Sequence, residues 1–106
     1  PRAFDAAWSM STLVHVADAD FDRAMDAIAA TVVPGSPIAL GLWGGRDQEG
    51  RQEEDHFDPP RFYSLRRHDR VQAMLEAHGT VIRFETHDPG LAEGWEYQLA
   101  IVRTPG

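Results

Sequence analysis

Apolar positions along the chain fall into two kinds of pattern, unbroken runs and helical stripes, and their order predicts most of the architecture. FDAAWSMSTLVHV, residues 4–16, opens with a mixed aromatic, Ala and Met run over 4–10. A run that short suits a strand better than a helix. From Asp18 the period changes: Phe21, Met25, Ile28, Ala29 and Val32 share one helical face. Asp18 stands where an N-cap belongs, and Asp20 and Asp22 suit the positive end of the helix dipole. Pro34-Gly35 closes that helix, and PIALGLW, residues 37–43, follows as an apolar run without alternation, the pattern of a strand covered on both faces. Strand, helix, turn and strand form a βαβ unit, for which a right-handed crossover is expected.

The pattern then breaks. GGRDQEGRQEEDHFDPP, residues 44–60, is polar, glycine-rich and too long for an idle connection in so small a domain, so it reads as a lid or mobile insertion. A second amphipathic helix is predicted over 69–78, with Val71, Met74, Leu75 and His78 on one face and Gly79 as its stop. TVIRFET (80–86) and WEYQLAIVR (95–103) read as strands joined by a reversal at DPGLAEG.

Composition narrows the function classes. The 106 residues make a single domain, 1–106, with a thin core. Net charge is −7 and all ten basic residues are Arg, clustered only at Arg66, Arg67 and Arg70, so no nucleic-acid surface is expected. No apolar run approaches the roughly 20 residues of a membrane span. No membrane partner is therefore expected, and with no cysteine and no signal-like start the chain reads as soluble and cytoplasmic. In open α/β sheets ligands bind beyond the carboxyl ends of the parallel strands, here Ser9-Met10-Ser11 and Trp43-Gly44-Gly45.

The residues resemble a family at this point. FDAAWSMSTLVHV, an acidic helix, VVPGSPIALGLWGG, a helix ending AHG, TVIRFET and GWEYQLAIVR together look like the second half of a class I S-adenosylmethionine-dependent methyltransferase. The resemblance covers essentially the whole chain. It implies an α/β fold with a partial Rossmann-like sheet, the family's strands 4, 5, 7 and 6 side by side, the last strand antiparallel, and helices on both faces. Ser36 departs from the family's usual second glycine in PGG. The family's glycine-rich loop and its ribose-holding acidic residue would precede residue 1, so the resemblance reads as a C-terminal portion, inactive by itself.

The resemblance implies S-adenosylmethionine as cofactor and a small-molecule methyl acceptor as substrate. Its matching positions put Ser9, Met10 and Leu13 beside the cofactor. Trp43, Gly44 and Gly45, with His56 and Tyr63 from the insertion, face the acceptor. His15 is the candidate catalytic base, although a His among Leu13, Val14 and Val16 suits a hydrogen-bonded structural side chain as well or better. Glu53, Glu54, Asp55, His56 and Asp58 have metal-ligand chemistry but no metal-site spacing, so no metal is expected. Arg66, Arg67 and Arg70 suit either capture of an acidic acceptor or a solvated helix start. Trp8, Trp43 and Trp95 have the chemistry to stack on an aromatic acceptor; Trp8 suits the core better, and of the three only Trp43 stands at a strand's carboxyl end. An apolar strand beginning at Phe4 with one unpaired edge predicts self-association there, which leaves a non-catalytic α/β oligomerisation or protein-interaction module as the alternative function.

Overall fold

A computed structural model describes residues 4–11, 13–51, 61–90 and 95–106. Its elements are β1 (Ala7–Met10), a 3₁₀ turn (Leu13–His15), α1 (Asp18–Ala29), β2 (Pro37–Gly45), β3 (Gln48–Arg51), β4 (Phe62–Leu65), α2 (His68–Glu76), β5 (Thr80–His87) and β6 (Trp95–Arg103). A four-stranded sheet has the order β1-β2-β6-β5, and β3 and β4 form a separate two-stranded hairpin. β1 runs parallel to β2, whereas β6 is antiparallel to both β2 and β5. This is the α/β class and strand order expected.

Alternation along β2 and β6 decides where the core lies. Ile38, Leu40 and Leu42 face the same side as Ala100 and Val102, and that side collects Phe21 and Met25 of α1 with Val71 and Leu75 of α2. Both helices therefore pack on one face, which corrects the expectation of helices on both. The period of two sorts the side chains: Ile38, Leu40, Leu42, Ala100 and Val102 all fall on one side, where Phe21, Met25, Val71 and Leu75 meet them. Ala39, Gly41, Trp43, Leu99 and Ile101 point to the other face.

Three local expectations also change. The first strand is shorter than residues 4–10: Phe4 makes only an isolated bridge to Val32, and pairing with β2 begins at Ala7. Trp8 is not core but 79% exposed, because its register partner is Ala39 on the face without helices. Asp18 is not the N-cap of α1. Ala17 takes that position, the Asp18 amide donates to Glu49 Oε1 at 2.6 Å, and the Asp18 carboxylate is engaged elsewhere.

Ser36 is accommodated without strain. Gly35 takes the left-handed conformation of the turn, and the buried Ser36 exchanges hydrogen bonds with Thr104, its amide donating to Thr104 Oγ1 at 3.1 Å. The turn entering β2 is thus tied to the residues leaving β6. The insertion is partly regular: Gln48–Arg51 pairs antiparallel with Phe62–Leu65. Residues 52–60, with Glu53 to Asp58, lie outside the described residues.

Candidate functional site

The carboxyl ends of β1 and β2 lie side by side, with Met10 opposite Gly41 and the Ser11 amide donating to the Gly41 carbonyl at 2.7 Å. Ser11, at φ +57°, is the only described non-glycine residue in the left-handed region. Such a conformation costs free energy and persists where the surroundings enforce it, here with the Ser11 amide tied to the Gly41 carbonyl. Directly after it the 3₁₀ turn carries His15, and the hairpin brings β4 alongside.

The neighbourhood is aromatic. His15 and Tyr63 have ring centroids 4.7 Å apart, Tyr63 meets Trp95 edge-on at 5.4 Å, Trp95 lies 6.4 Å from Trp43, and Trp43 meets Tyr97 edge-on at 5.1 Å. The Tyr97 hydroxyl in turn donates to Met10 Sδ at 3.5 Å. Gly41 makes this possible: a Cβ there would overlap the Tyr97 hydroxyl and stand 2.8 Å from Met10 Sδ. The tyrosine lies over bare backbone.

His15 is exposed, and its Nδ1 is 2.8 Å from the Phe62 carbonyl. A carbonyl only accepts, so Nδ1 carries the hydrogen and the neutral ring keeps its lone pair on Nε2. That is the geometry of a base whose ring is oriented by a backbone group. The other predicted residues divide. Met10 and Trp43 reach the aromatic neighbourhood, and Tyr63 is buried within it. Ser9 shares the helix-side face with Leu40. Leu13 is 3% exposed inside the main core, so only its backbone is available to a ligand. Gly44 is buried against the Arg66 carbonyl and Gln98, and Gly45 donates its amide to that same carbonyl at 3.0 Å. His56 lies outside the described residues. Trp95, ranked below Trp43 from sequence, lies in the same neighbourhood, and Tyr97 was not singled out at all. The signal was an aromatic pair two apart at the start of β6, which places both on one face beside Trp43.

An ion network behind the site fixes the hairpin. Arg66 is 1% exposed; its Nε donates to Asp18 Oδ1 at 2.8 Å, its Nη2 to the Val16 carbonyl at 2.8 Å, and its guanidinium lies 4.6 Å over the Phe21 ring. Ser64 Oγ and Arg70 Nη2 also donate to the Asp18 carboxylate, at 3.0 and 2.8 Å. Neither reading of Arg66 from sequence holds: it is a buried strut joining the loop after β1 to the end of β4. Arg67, paired with Asp69 at 2.9 Å, is the solvated helix-start arginine expected.

Partial burial pushes the Asp18 carboxyl upward, but the hydrogen bonds from Arg70, Ser64 and Arg66 outweigh it and hold the group below the usual carboxylate range. Its folded value is thus lower than its unfolded one, near 3.9. The stability it contributes is complete above that unfolded value and is lost as pH falls through the folded one. In urea titrations from pH 7 to pH 2, Asp18→Asn will lower the neutral plateau by about 1–2 kcal/mol and flatten the acid limb. An unchanged acid limb would place the acid sensitivity elsewhere.

Among the described residues no group of three or more His, Asp or Glu is arranged to hold a metal ion, and no described helix is long and apolar enough to cross a membrane.

No protein-family model matches the sequence. No curated protein matches it significantly. Among solved structures, the fold is similar to that of the 1,6-didemethyltoxoflavin-N1-methyltransferase of Burkholderia thailandensis, determined with 1,6-didemethyltoxoflavin and S-adenosylhomocysteine bound. The TM-score is 0.74 at 16% identity, over 96% of this chain and 44% of that protein's. The chain therefore spans less than half the length of the protein it resembles in fold.

Proposed function

We propose that these residues are the acceptor-side portion of a cytoplasmic S-adenosylmethionine-dependent methyltransferase that acts on a small molecule. The observation that carries this reading is the antiparallel β6 inserted between β2 and β5 beside a parallel β1–β2 pair. It agrees with the methyltransferase resemblance of the sequence and with the fold of a protein crystallised with S-adenosylhomocysteine. The residues present fit one flank of the cofactor. Ser9 and Met10 end a parallel strand, Met10 is exposed, and the backbone at Ser11 takes the left-handed conformation, with Leu13 opening the 3₁₀ turn that follows.

When bound, the cofactor supplies a methyl group already activated on a sulfonium. The chain's own task is accordingly positioning, exclusion of water and, for an acceptor that carries a hydrogen, removal of a proton. Trp43 and Tyr63 wall the acceptor side, with Gly44 and Gly45 setting the backbone that carries Trp43. His15 Nε2 is the atom that takes the proton, with Nδ1–H held by the Phe62 carbonyl. The pairing of Gln48–Arg51 with Phe62–Leu65 anchors the described ends of the polar insertion beside this site. The test is calorimetry with S-adenosylhomocysteine on the complete gene product: saturable binding, weakened about tenfold or more by Met10→Asp, is expected. No binding by the folded protein at millimolar ligand would overturn the reading.

A second reading rests on a separate observation. Of the large hydrophobics exposed among the described residues, Phe4, Trp8 and Met10 lie on or just before β1, and Val33 is hydrogen-bonded to Phe4. These four apolar side chains, beside a strand paired on one edge only, suit an α/β module that self-associates through the other edge. Light scattering after size exclusion distinguishes the readings: a dimer converted to monomer by Trp8→Lys supports the module, and a monomer at high concentration removes it.

A further inference from the structure

We infer that the aromatic side chains at the carboxyl ends of β1 and β2 form a binding rim for a flat, conjugated ring, so that the methyl acceptor is a planar aromatic or heteroaromatic compound. This deepens the methyltransferase reading and, for the word acceptor, rests on it. The side chains make a continuous row of contacts: His15 on the 3₁₀ turn meets Tyr63 on β4, Tyr63 meets Trp95 on β6, Trp95 meets Trp43 on β2, Trp43 meets Tyr97 on β6, and Tyr97 reaches Met10 on β1. The loop from Met10 to His15 joins its two ends.

Two features separate this rim from a satellite core. A core closes its rings away from water, and here only Tyr63 is buried: Trp43, Trp95 and Tyr97 are half-buried and His15 is exposed. The ring contacts are tilted or edge-on rather than stacked, and the partial exposure of Trp43, Trp95 and Tyr97 leaves part of their ring surface open to a ligand. Four separate elements converge to supply these rings, and Gly41 is bare so that Tyr97 can lie down beside Met10. A conjugated ring offers the offset or edge-on contact that such faces and edges accept, and a saturated ring of the same size offers only area. His15 in the same row sets a proton acceptor at the rim of the ring site.

The test uses indole N–H resonances on the Trp8→Phe variant, which leaves Trp43 and Trp95 as the only tryptophans. The probe is lumazine, a fused bicyclic heteroaromatic, with a saturated bicyclic lactam of similar size as control and S-adenosylhomocysteine titrated separately. Saturable shifts of both indoles with lumazine, absent with the lactam and weakened about tenfold by Tyr97→Leu, are expected. Gly41→Ala, which displaces Tyr97 without removing a ring, is the second variant and should weaken lumazine in the same direction. Lumazine shifts that do not saturate, equal response to the lactam, or indifference to both variants would overturn the rim. If S-adenosylhomocysteine binds and lumazine does not, the rim fails while the methyltransferase reading stands. If lumazine binds and the cofactor product does not bind even the complete gene product, the rim stands and it is not an acceptor site.

Discussion

Replacing Arg66 with Ala will cost the protein about 3 kcal/mol. The guanidinium is buried, donates to Asp18 and to the carbonyls of Val16 and Ser64, and stacks on Phe21. Burial presses its pKa down, and the hydrogen bond and charge of Asp18 oppose that. Removing it strands a partly buried carboxylate, orphans two carbonyls and opens a cavity beside Phe21. Arg70 still reaches the other Asp18 oxygen, which keeps the loss near the low end for a broken buried pair. For a domain of this size, 3 kcal/mol is about 12–24 °C in melting temperature. Arg66→Lys will recover little, because a single ammonium cannot serve Asp18 Oδ1 and the Val16 carbonyl in fixed directions together. Pairing Arg66→Met with Asp18→Asn will cost less than the sum of the two, since neither then leaves an uncompensated charge. Additive losses in guanidinium titrations would show that the two groups act independently.

Gly44→Ala will destabilise by a comparable ~3 kcal/mol, through backbone rather than charge. A Cβ at this position overlaps the Arg66 carbonyl oxygen and stands 2.6 Å from Gln98 Nε2. That oxygen accepts from Gly45 N at 3.0 Å and from Gln98 Nε2 at 2.8 Å, and Gln98 Nε2 also reaches His68 Nδ1 at 2.9 Å. One methyl group therefore pushes the end of β2 off the residue that leads into α2. Gln98 is fully buried with its Oε1 already unpartnered among the described residues, so the amide has no spare bond to offset the loss. Because Gly45 and Trp43 move with the strand end, lumazine binding should weaken together with stability. Gly50→Ala is the control, with open space around its Cβ position. Its φ of +146° still disfavours a side chain, so a loss of only about 1 kcal/mol is expected there. Equal melting temperatures for Gly44→Ala and the parent protein would refute the close approach.

Much of the architecture was legible from residue patterns. The unbroken apolar run at Pro37–Trp43 has no polar position to expose, and it became β2, with β1 and β6 paired on either side. Phe21, Met25, Val71 and Leu75 recur at helical spacing, and they became the buried faces of α1 and α2. The site was only half legible. Trp43 and Tyr63 could be nominated because glycine and polar runs flank them, yet their partners Trp95 and His15 stand about 50 residues away in sequence.

What the chain determined by itself was the type and order of its elements, since periods of two and 3.6 are local properties of neighbouring residues. The tertiary structure alone decided that both helices share one face, that Trp8 is exposed, and that Asp18 leaves its capping position. Each of these depends on which residue stands opposite: Ala39 for Trp8, and Arg66, Ser64 and Arg70 for Asp18. A buried arginine, too, is indistinguishable from a solvated one until a carboxylate about 48 residues earlier in the chain is brought within 2.8 Å of it. Charge is placed by its partner, and partners are chosen by the fold.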